Sequence, residues 1–82
     1  MDTTDIAQAV LDKARSVTMS SRHGELRDAF QRAGIEITED CAKVVSVSED
    51  AAFQKLSAEL KSSMPTALIG AKRVLHENDI DV

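Results

Sequence analysis

The chain has 82 residues and carries ten Lys and Arg against fourteen Asp and Glu, a net charge of −4 at pH 7. This acidic balance argues against a protein held to nucleic acid chiefly by attraction to the phosphate backbone. Residues are 43% hydrophobic but only 2% aromatic, so we expect one small domain, residues 1–82, whose core is built from Ala, Val, Ile and Leu around Phe30 and Phe53.

The compartment is predicted from cysteine usage and from the absence of export signals. Cys41 is the only cysteine, so no internal disulfide can form. Asp2 and Asp5 stand where a signal peptide would carry basic residues, and no apolar run approaches the ~18 residues of a membrane span. We therefore expect a cytoplasmic protein with no membrane partner.

Two amphipathic helices are predicted in the first third of the chain, one from about Thr4 to Thr18 and one from Arg22 to Ala33. Gly34 follows as the left-handed residue that closes many helices, with Ile35 placed to contact Phe30. The two apolar stripes have helical spacing; they comprise Ile6, Ala7, Val10, Leu11, Ala14 and Val17 in the first helix, and Leu26, Ala29, Phe30 and Ala33 in the second.

The segment 35–47 fits two patterns. Residues 35–38 alternate like a strand and residues 44–47 are rich in β-branched side chains, which predicts a two-stranded hairpin turning near Asp40. Alternatively, Thr38 caps a helix in which apolar residues recur at i, i+3 and i+4. Because an isolated hairpin is barely stable in water, the sequence favours a mostly α fold, a small bundle of about four short helices, with a short two-stranded hairpin at 35–47 as the exception.

Two further helices are predicted between Ser48 and Asn78. The first has Ser48 as N-cap, followed by Glu49 and Asp50 in its first turn. The second begins at Pro65, with Ser63 as its cap. Each has one apolar stripe: Ala52, Phe53, Leu56 and Leu60 in the first helix, and Met64, Ala67, Leu68, Ala71, Val74 and Leu75 in the second. Two apolar stripes joined by a short turn must pack against each other or both pack against a third element of the fold.

This pair of helices resembles the helix-turn-helix half of many DNA-binding regulators, through the spacing of Leu60, Thr66, Ala67, Gly70, Ala71, Val74 and Ile80. The resemblance covers a quarter of the chain, and Ser62 and Ser63 stand where the usual turn has a Gly and an apolar residue. It implies a dimeric DNA-binding regulator that reads the major groove with residues 64–77. Residues 71–75 followed by 78–81 are also similar to the middle of ubiquitin-associated-type three-helix folds.

Residues that carry chemistry are scattered. His23, Cys41 and His76 are far apart, the three glycines are isolated, and no carboxylate pair is fixed on one helix face beside a pocket. Residues 78–81 resemble the start of a calcium loop but lack its Gly and its closing Glu, so we expect a frayed acidic end. The sequence predicts no enzyme activity, no metal and no cofactor.

Charge is unevenly distributed along the chain. Residues 36–50 contain five acids against Lys43, a balance of −4, whereas residues 54–76 contain four bases against Glu59, a balance of +3. Two interpretations remain open: both segments are ordinary solvated faces, or they form a bipolar contact surface.

The remaining function is binding. We expect a small non-catalytic interaction module (an accessory subunit, adaptor or inhibitor) with a protein partner, and a helix-turn-helix DNA-binding regulator as the alternative. Ile69 lies outside the apolar stripe of its helix, among Lys72, Arg73 and His76, so these four residues form the predicted partner-binding site unless Ile69 packs under the first helix or the segment 35–47. Narrow stripes on short helices also predict weak self-association.

Overall fold

The computed structural model describes residues 2–49 and 51–82, which form four helices and one antiparallel hairpin. The mostly α fold is therefore confirmed, together with the hairpin. The elements in chain order are α1 (Thr3–Ser16), a 3₁₀ turn (Ser20–Arg22), α2 (His23–Arg32), β1 (Ile35–Ile37), β2 (Val44–Val47), α3 (Ala52–Ser63) and α4 (Pro65–Glu77).

The elements pack in a closed ring around the core. α1 packs on α4, α4 on α3, α3 on α2 and α2 on β1. β2 pairs with β1 and packs on α1, which closes the ring. Phe30 and Phe53 are both buried inside this ring, as the composition predicted. The predicted stripes of α2, α3 and α4 are buried throughout, because each helix turns its 3.6-residue apolar face toward the centre.

α1 is shorter than predicted. It begins after Asp2, whose side chain accepts a hydrogen bond from the Asp5 amide (3.1 Å), and it ends at Ser16. Val17 is therefore only the C-cap residue, and 47% of its surface is exposed. Its predicted place in the buried stripe was wrong, since the helical spacing does not continue past Ser16. Ile6 is half-buried against the core.

The segment 35–47 is a hairpin because α1 and α2 give it helices to lie on. Ile35 pairs with Val47 and Glu36 with Ser46, and the register then slips so that Ile37 pairs with Val44. The side-chain amide of Gln8 on α1 continues the pairing: its Nε2 donates to the Ala42 carbonyl (3.0 Å) and its Oε1 accepts from the Val44 amide (2.8 Å). Gln8 thus ties β2 to α1.

Two predicted helix caps were wrong. α3 begins at Ala52, and the Ser48 amide instead donates to the Gly34 carbonyl (3.0 Å), which lengthens the hairpin. Ser63 is the last residue of α3, and its hydroxyl donates back to the Glu59 carbonyl (2.7 Å). Met64 alone separates α3 from α4. Asp50, predicted in the first turn of α3, lies outside the described residues.

The ends of α2 and α4 use left-handed residues. Gly34 has φ of +90° and its amide donates to the Gln31 carbonyl (3.0 Å), as predicted for a helix-closing glycine. At the end of α4, Asp79 has φ of 61°, and the amides of Asp79 and Ile80 donate to the carbonyls of His76 (3.1 Å) and Leu75 (2.9 Å), a complete Schellman ending.

The acidic end was expected to fray, and the structure shows it folded back. Ile80 and Val82 pack against the core. The side-chain amide of Gln54 on α3 donates to the Asp81 carbonyl (3.1 Å). The bond from Gln54 ties residue 81 to α3, and neither it nor the packing of Ile80 and Val82 could be predicted from the acidic composition of the segment.

Candidate interaction surface

Ile69, Lys72, Arg73 and His76 are brought together on the outward side of α4; we call these four residues the α4 surface. They occupy positions i, i+3, i+4 and i+7 of one regular helix, which places them on a single face. Ile69 is 74% exposed, so it does not pack under α1 or the hairpin. Arg73 and His76 are exposed and Lys72 is half-buried.

The rotation of α4 is set by its close crossing with α1. A Cβ atom built on Gly70 would lie 3.5 Å from the carbonyl oxygen of Lys13 and 3.6 Å from its Cβ, which is ordinary van der Waals contact, so this side of α4 lies directly against α1. Ala67, Ala71 and Val74 lie on the same side of α4 and are buried. Ile69 precedes Gly70 and lies about 100° from it on the helical wheel, away from both α1 and the core.

The charges on the α4 surface are poorly neutralised. Among the described residues, Lys72 and His76 make no ion pair, and neither does Lys61 on α3. Arg73 approaches Glu77 only to 4.0 Å, and both side chains are largely exposed, so their attraction is weak. Glu59 on α3 is paired with Arg32 of α2 (2.8 Å). The positive charge of the α4 surface is therefore available to a partner.

Three further large apolar side chains are exposed that sequence reasoning missed. Met19 is 71% exposed in the connection between α1 and α2, Val17 lies beside it, and Val45 on β2 is 58% exposed. The exposure of Val45 follows from the slip in strand register, which helical or alternating patterns in the sequence do not reveal.

The turn of the hairpin is acidic and internally bonded. The side-chain oxygen of Asp40 accepts hydrogen bonds from the Thr38 hydroxyl and the Ala42 amide. These two bonds, the Thr38 bond above all, lower the pKa of Asp40 below its ordinary value. Asp40 is therefore ionised at neutral pH and adds a fixed negative charge beside Glu39.

Cys41 is poorly suited to nucleophilic chemistry. Its thiol is buried and donates to the carbonyl of His23 (3.1 Å), not to the imidazole ring. Burial raises the pKa of the Cys41 thiol, which disfavours the reactive thiolate. The His23 ring lies 3.2 Å from the Thr18 carbonyl. In the described ranges 2–49 and 51–82, no three His, Cys, Asp or Glu residues form a group that could hold a metal ion.

Within the same described ranges, no helix has the length and apolar content needed to cross a membrane. Comparison of the chain with models of protein families, with curated proteins and with solved structures finds no match. A functional proposal therefore depends on the surfaces of the molecule itself.

Proposed function

We propose that the protein is a small non-catalytic interaction module, an accessory subunit, adaptor or inhibitor that binds a protein partner through the α4 surface. The observation that carries this proposal is the exposure of Ile69, 74% of whose surface is open to solvent, among the side chains of Lys72, Arg73 and His76. The position of Cys41 and the composition of the chain favour the absence of catalysis and a reducing, cytoplasmic setting.

An apolar anchor inside a polar rim is the usual composition of a small protein contact site. Burying a branched aliphatic side chain such as Ile69 contributes about 1.5–3 kcal/mol. Lys72 and Arg73 would add electrostatic attraction, which mainly raises the association rate and selects partners of opposite charge. We therefore expect the partner to present an apolar pocket bordered by carboxylates.

The test compares two variants with matched charge changes. In a capture experiment, the Ile69→Asp variant should fail to bind partners that the wild-type protein captures from an extract of the native host. The substitution replaces the apolar anchor with a charge that would have to be buried in the contact. Met19→Asp is the control, since Met19 is 71% exposed in the connection between α1 and α2 and is not one of the four residues of the α4 surface. Both variants should melt close to wild type.

Lys72→Glu should weaken capture mainly at low salt, where screening of surface charges is least. Equal capture by the wild type and the Ile69→Asp variant would remove the α4 surface from the proposal. Unfolding of the Ile69→Asp variant would instead assign Ile69 a structural role.

The DNA-binding alternative rests on the outward-facing Lys72 and Arg73. The usual helix-turn-helix connection has three to four residues, whereas Met64 alone joins α3 to α4, and the net charge of −4 opposes DNA. These features favour the protein partner. Specific retention of a duplex at physiological salt in a mobility-shift assay would reverse this preference.

A further inference from the structure

The hairpin carries a second exposed apolar residue, and it lies among acids. Val44 and Val47 both pack against the core although they are three residues apart, because the register slips between them. Val45 and Ser46, the two residues between, are therefore both exposed. Ser46 is hydrogen-bonded to Glu36 on β1 (3.3 Å), which places this carboxylate on the outward face.

We call Glu36, Glu39, Asp40, Val45 and Ser46 the hairpin surface. The hairpin itself contributes one cation, the exposed Lys43, against these three carboxylates and so keeps a negative balance. Arg15 of α1 also lies near enough to act on Asp40. Like the α4 surface, the hairpin surface has one exposed aliphatic side chain among charged groups. Its charges are negative, whereas those of the α4 surface are positive.

The two surfaces lie on different sides of the molecule. On α1, Gln8 binds β2 and Lys13 contacts α4 at Gly70. Five residues on a helix correspond to a rotation of about 140°, so the hairpin and α4 occupy nearly opposite flanks of α1. In the packing ring, the strands contact α1 and α2, whereas α4 contacts α1 and α3. One copy can thus offer both surfaces at once without using the same space.

We propose that the α4 surface of one copy docks on the hairpin surface of a second copy, in a head-to-tail arrangement. This inference deepens the proposed function, because it uses the same α4 surface and names a second copy of this chain as its partner. Docking brings Ile69 against Val45 and places Lys72 and Arg73 opposite Glu36 and the acids of the turn. A two-fold dimer formed through either surface alone would instead place like charges against each other, which is unfavourable, and because the two surfaces lie on different sides of one copy, a single two-fold contact cannot use both.

Head-to-tail contacts do not close on themselves unless the rotation forms a ring, so they generate short chains of copies. One aliphatic side chain on each surface makes a small contact of the weak, transient class. Each copy also carries a net charge of −4, which opposes long chains. The association is therefore concentration-dependent and sensitive to salt.

Sedimentation equilibrium tests the association directly. At millimolar protein and about 10 mM salt, where the screening length is about 30 Å, the average mass should rise above the 8.9 kDa of one chain. At about 1 M salt, where screening acts within about 3 Å, the association constant should fall at least tenfold. A strict monomer in low salt at this concentration would overturn the inference.

Complementation tests the arrangement. Ile69→Asp removes the α4 surface and keeps the hairpin surface, and Val45→Lys does the reverse, so each variant alone should be monomeric. An equimolar mixture should form dimers of one copy of each, because one functional surface remains on either side. Met19→Asp and Met19→Lys are controls that should associate like wild type. Should Val45→Lys disturb the fold, Glu36→Lys at the exposed strand position replaces it.

The outcomes separate this inference from the proposed function. Dimers in the mixture, with monomers in each separate sample, support head-to-tail docking. A monomeric mixture, or self-association of the Ile69→Asp variant alone, overturns it. If wild type is monomeric but Ile69→Asp still loses the captured host partner, the inference fails while the proposed function stands. If wild type associates head to tail but Ile69→Asp leaves host capture intact, the proposed host contact fails alone.

Discussion

Gln8→Ala should detach the hairpin from α1. The Gln8 amide acts like a short neighbouring strand, since it donates to the Ala42 carbonyl and accepts from the Val44 amide on the half-buried side of β2. Truncation to Ala removes both bonds and leaves two backbone groups without their partner. The bond from Gln8 to the exposed Asp12 (3.1 Å) is also lost, but it contributes little in water.

The expected magnitude follows from these two bonds. A neutral hydrogen bond contributes about 1 kcal/mol net, with a larger loss where a buried backbone group stays unpaired. Ala gains a few tenths of a kcal/mol in helix propensity over Gln. We therefore expect a loss of about 2 kcal/mol in the free energy of unfolding. For a domain of this size, that loss lowers the melting temperature by roughly 8–16 °C.

Urea denaturation measures the global loss, and amide hydrogen exchange at Val44 measures the local one. The control is Gln31→Ala, because Gln31 is exposed on α2 and the same truncation there should leave the unfolding free energy within about 0.5 kcal/mol of wild type. If Gln8→Ala and Gln31→Ala unfold at the same urea concentration and exchange at Val44 stays slow, Gln8 does not hold the hairpin on α1.

Two further predictions concern Gly34 and Cys41. Gly34→Ala should lose more than about 1 kcal/mol of unfolding free energy, because φ is +90° and the added Cβ would meet the Ser48 hydroxyl. The control is Gly24→Ala, which has open space around it in α2 and should gain about 0.5–1 kcal/mol. Equal urea midpoints for the two variants would contradict this prediction. Burial raises the pKa of the Cys41 thiol in the folded state. The protonated thiol therefore contributes fully to the free energy of unfolding below the unfolded-state pKa of about 8.5, and this contribution is lost as the pH rises through the folded-state pKa. As the pH becomes alkaline, the melting temperature should therefore fall more steeply for wild type than for Cys41→Ala. Iodoacetamide should label the folded protein far more slowly than the urea-unfolded chain. Matching labelling rates would show the thiol to be accessible.

The helices and their buried faces could be predicted because a 3.6-residue period is a local property. Met64, Leu68 and Leu75 needed only their spacing to be placed in the core. Cap residues were less predictable, because a serine satisfies several roles. Ser48 is a good N-cap by type, but its backbone is engaged by Gly34 across the hairpin. The choice between an N-cap and a pairing partner in the hairpin depends on which distant segment lies beside Ser48.

The hairpin was undecided for the same reason. Residues 35–47 fit a strand pattern and a helix pattern, and the contacts that stabilise the strands come from Gln8, more than thirty residues earlier. The α4 surface could be predicted, since Ile69 needed only a helical wheel. The acidic charge of the hairpin surface could also be predicted, from residues 36–50, but its apolar anchor could not, because the exposure of Val45 depends on a slip between two strands and not on the residues around it.

The packing of α1 on α4 has a consequence for the time course of synthesis. Among the described helices, α1 emerges from the ribosome before the others, and α4, which packs on it where Gly70 faces Lys13, emerges after them. Until then the apolar face of α1, with Val10 and Leu11, lacks its main cover, and closing so long a loop carries an entropic cost that grows with its length. This helical domain therefore completes its packing only when α4 is made, and the helix that presents Ile69 to a partner is the same one that covers the apolar face of α1.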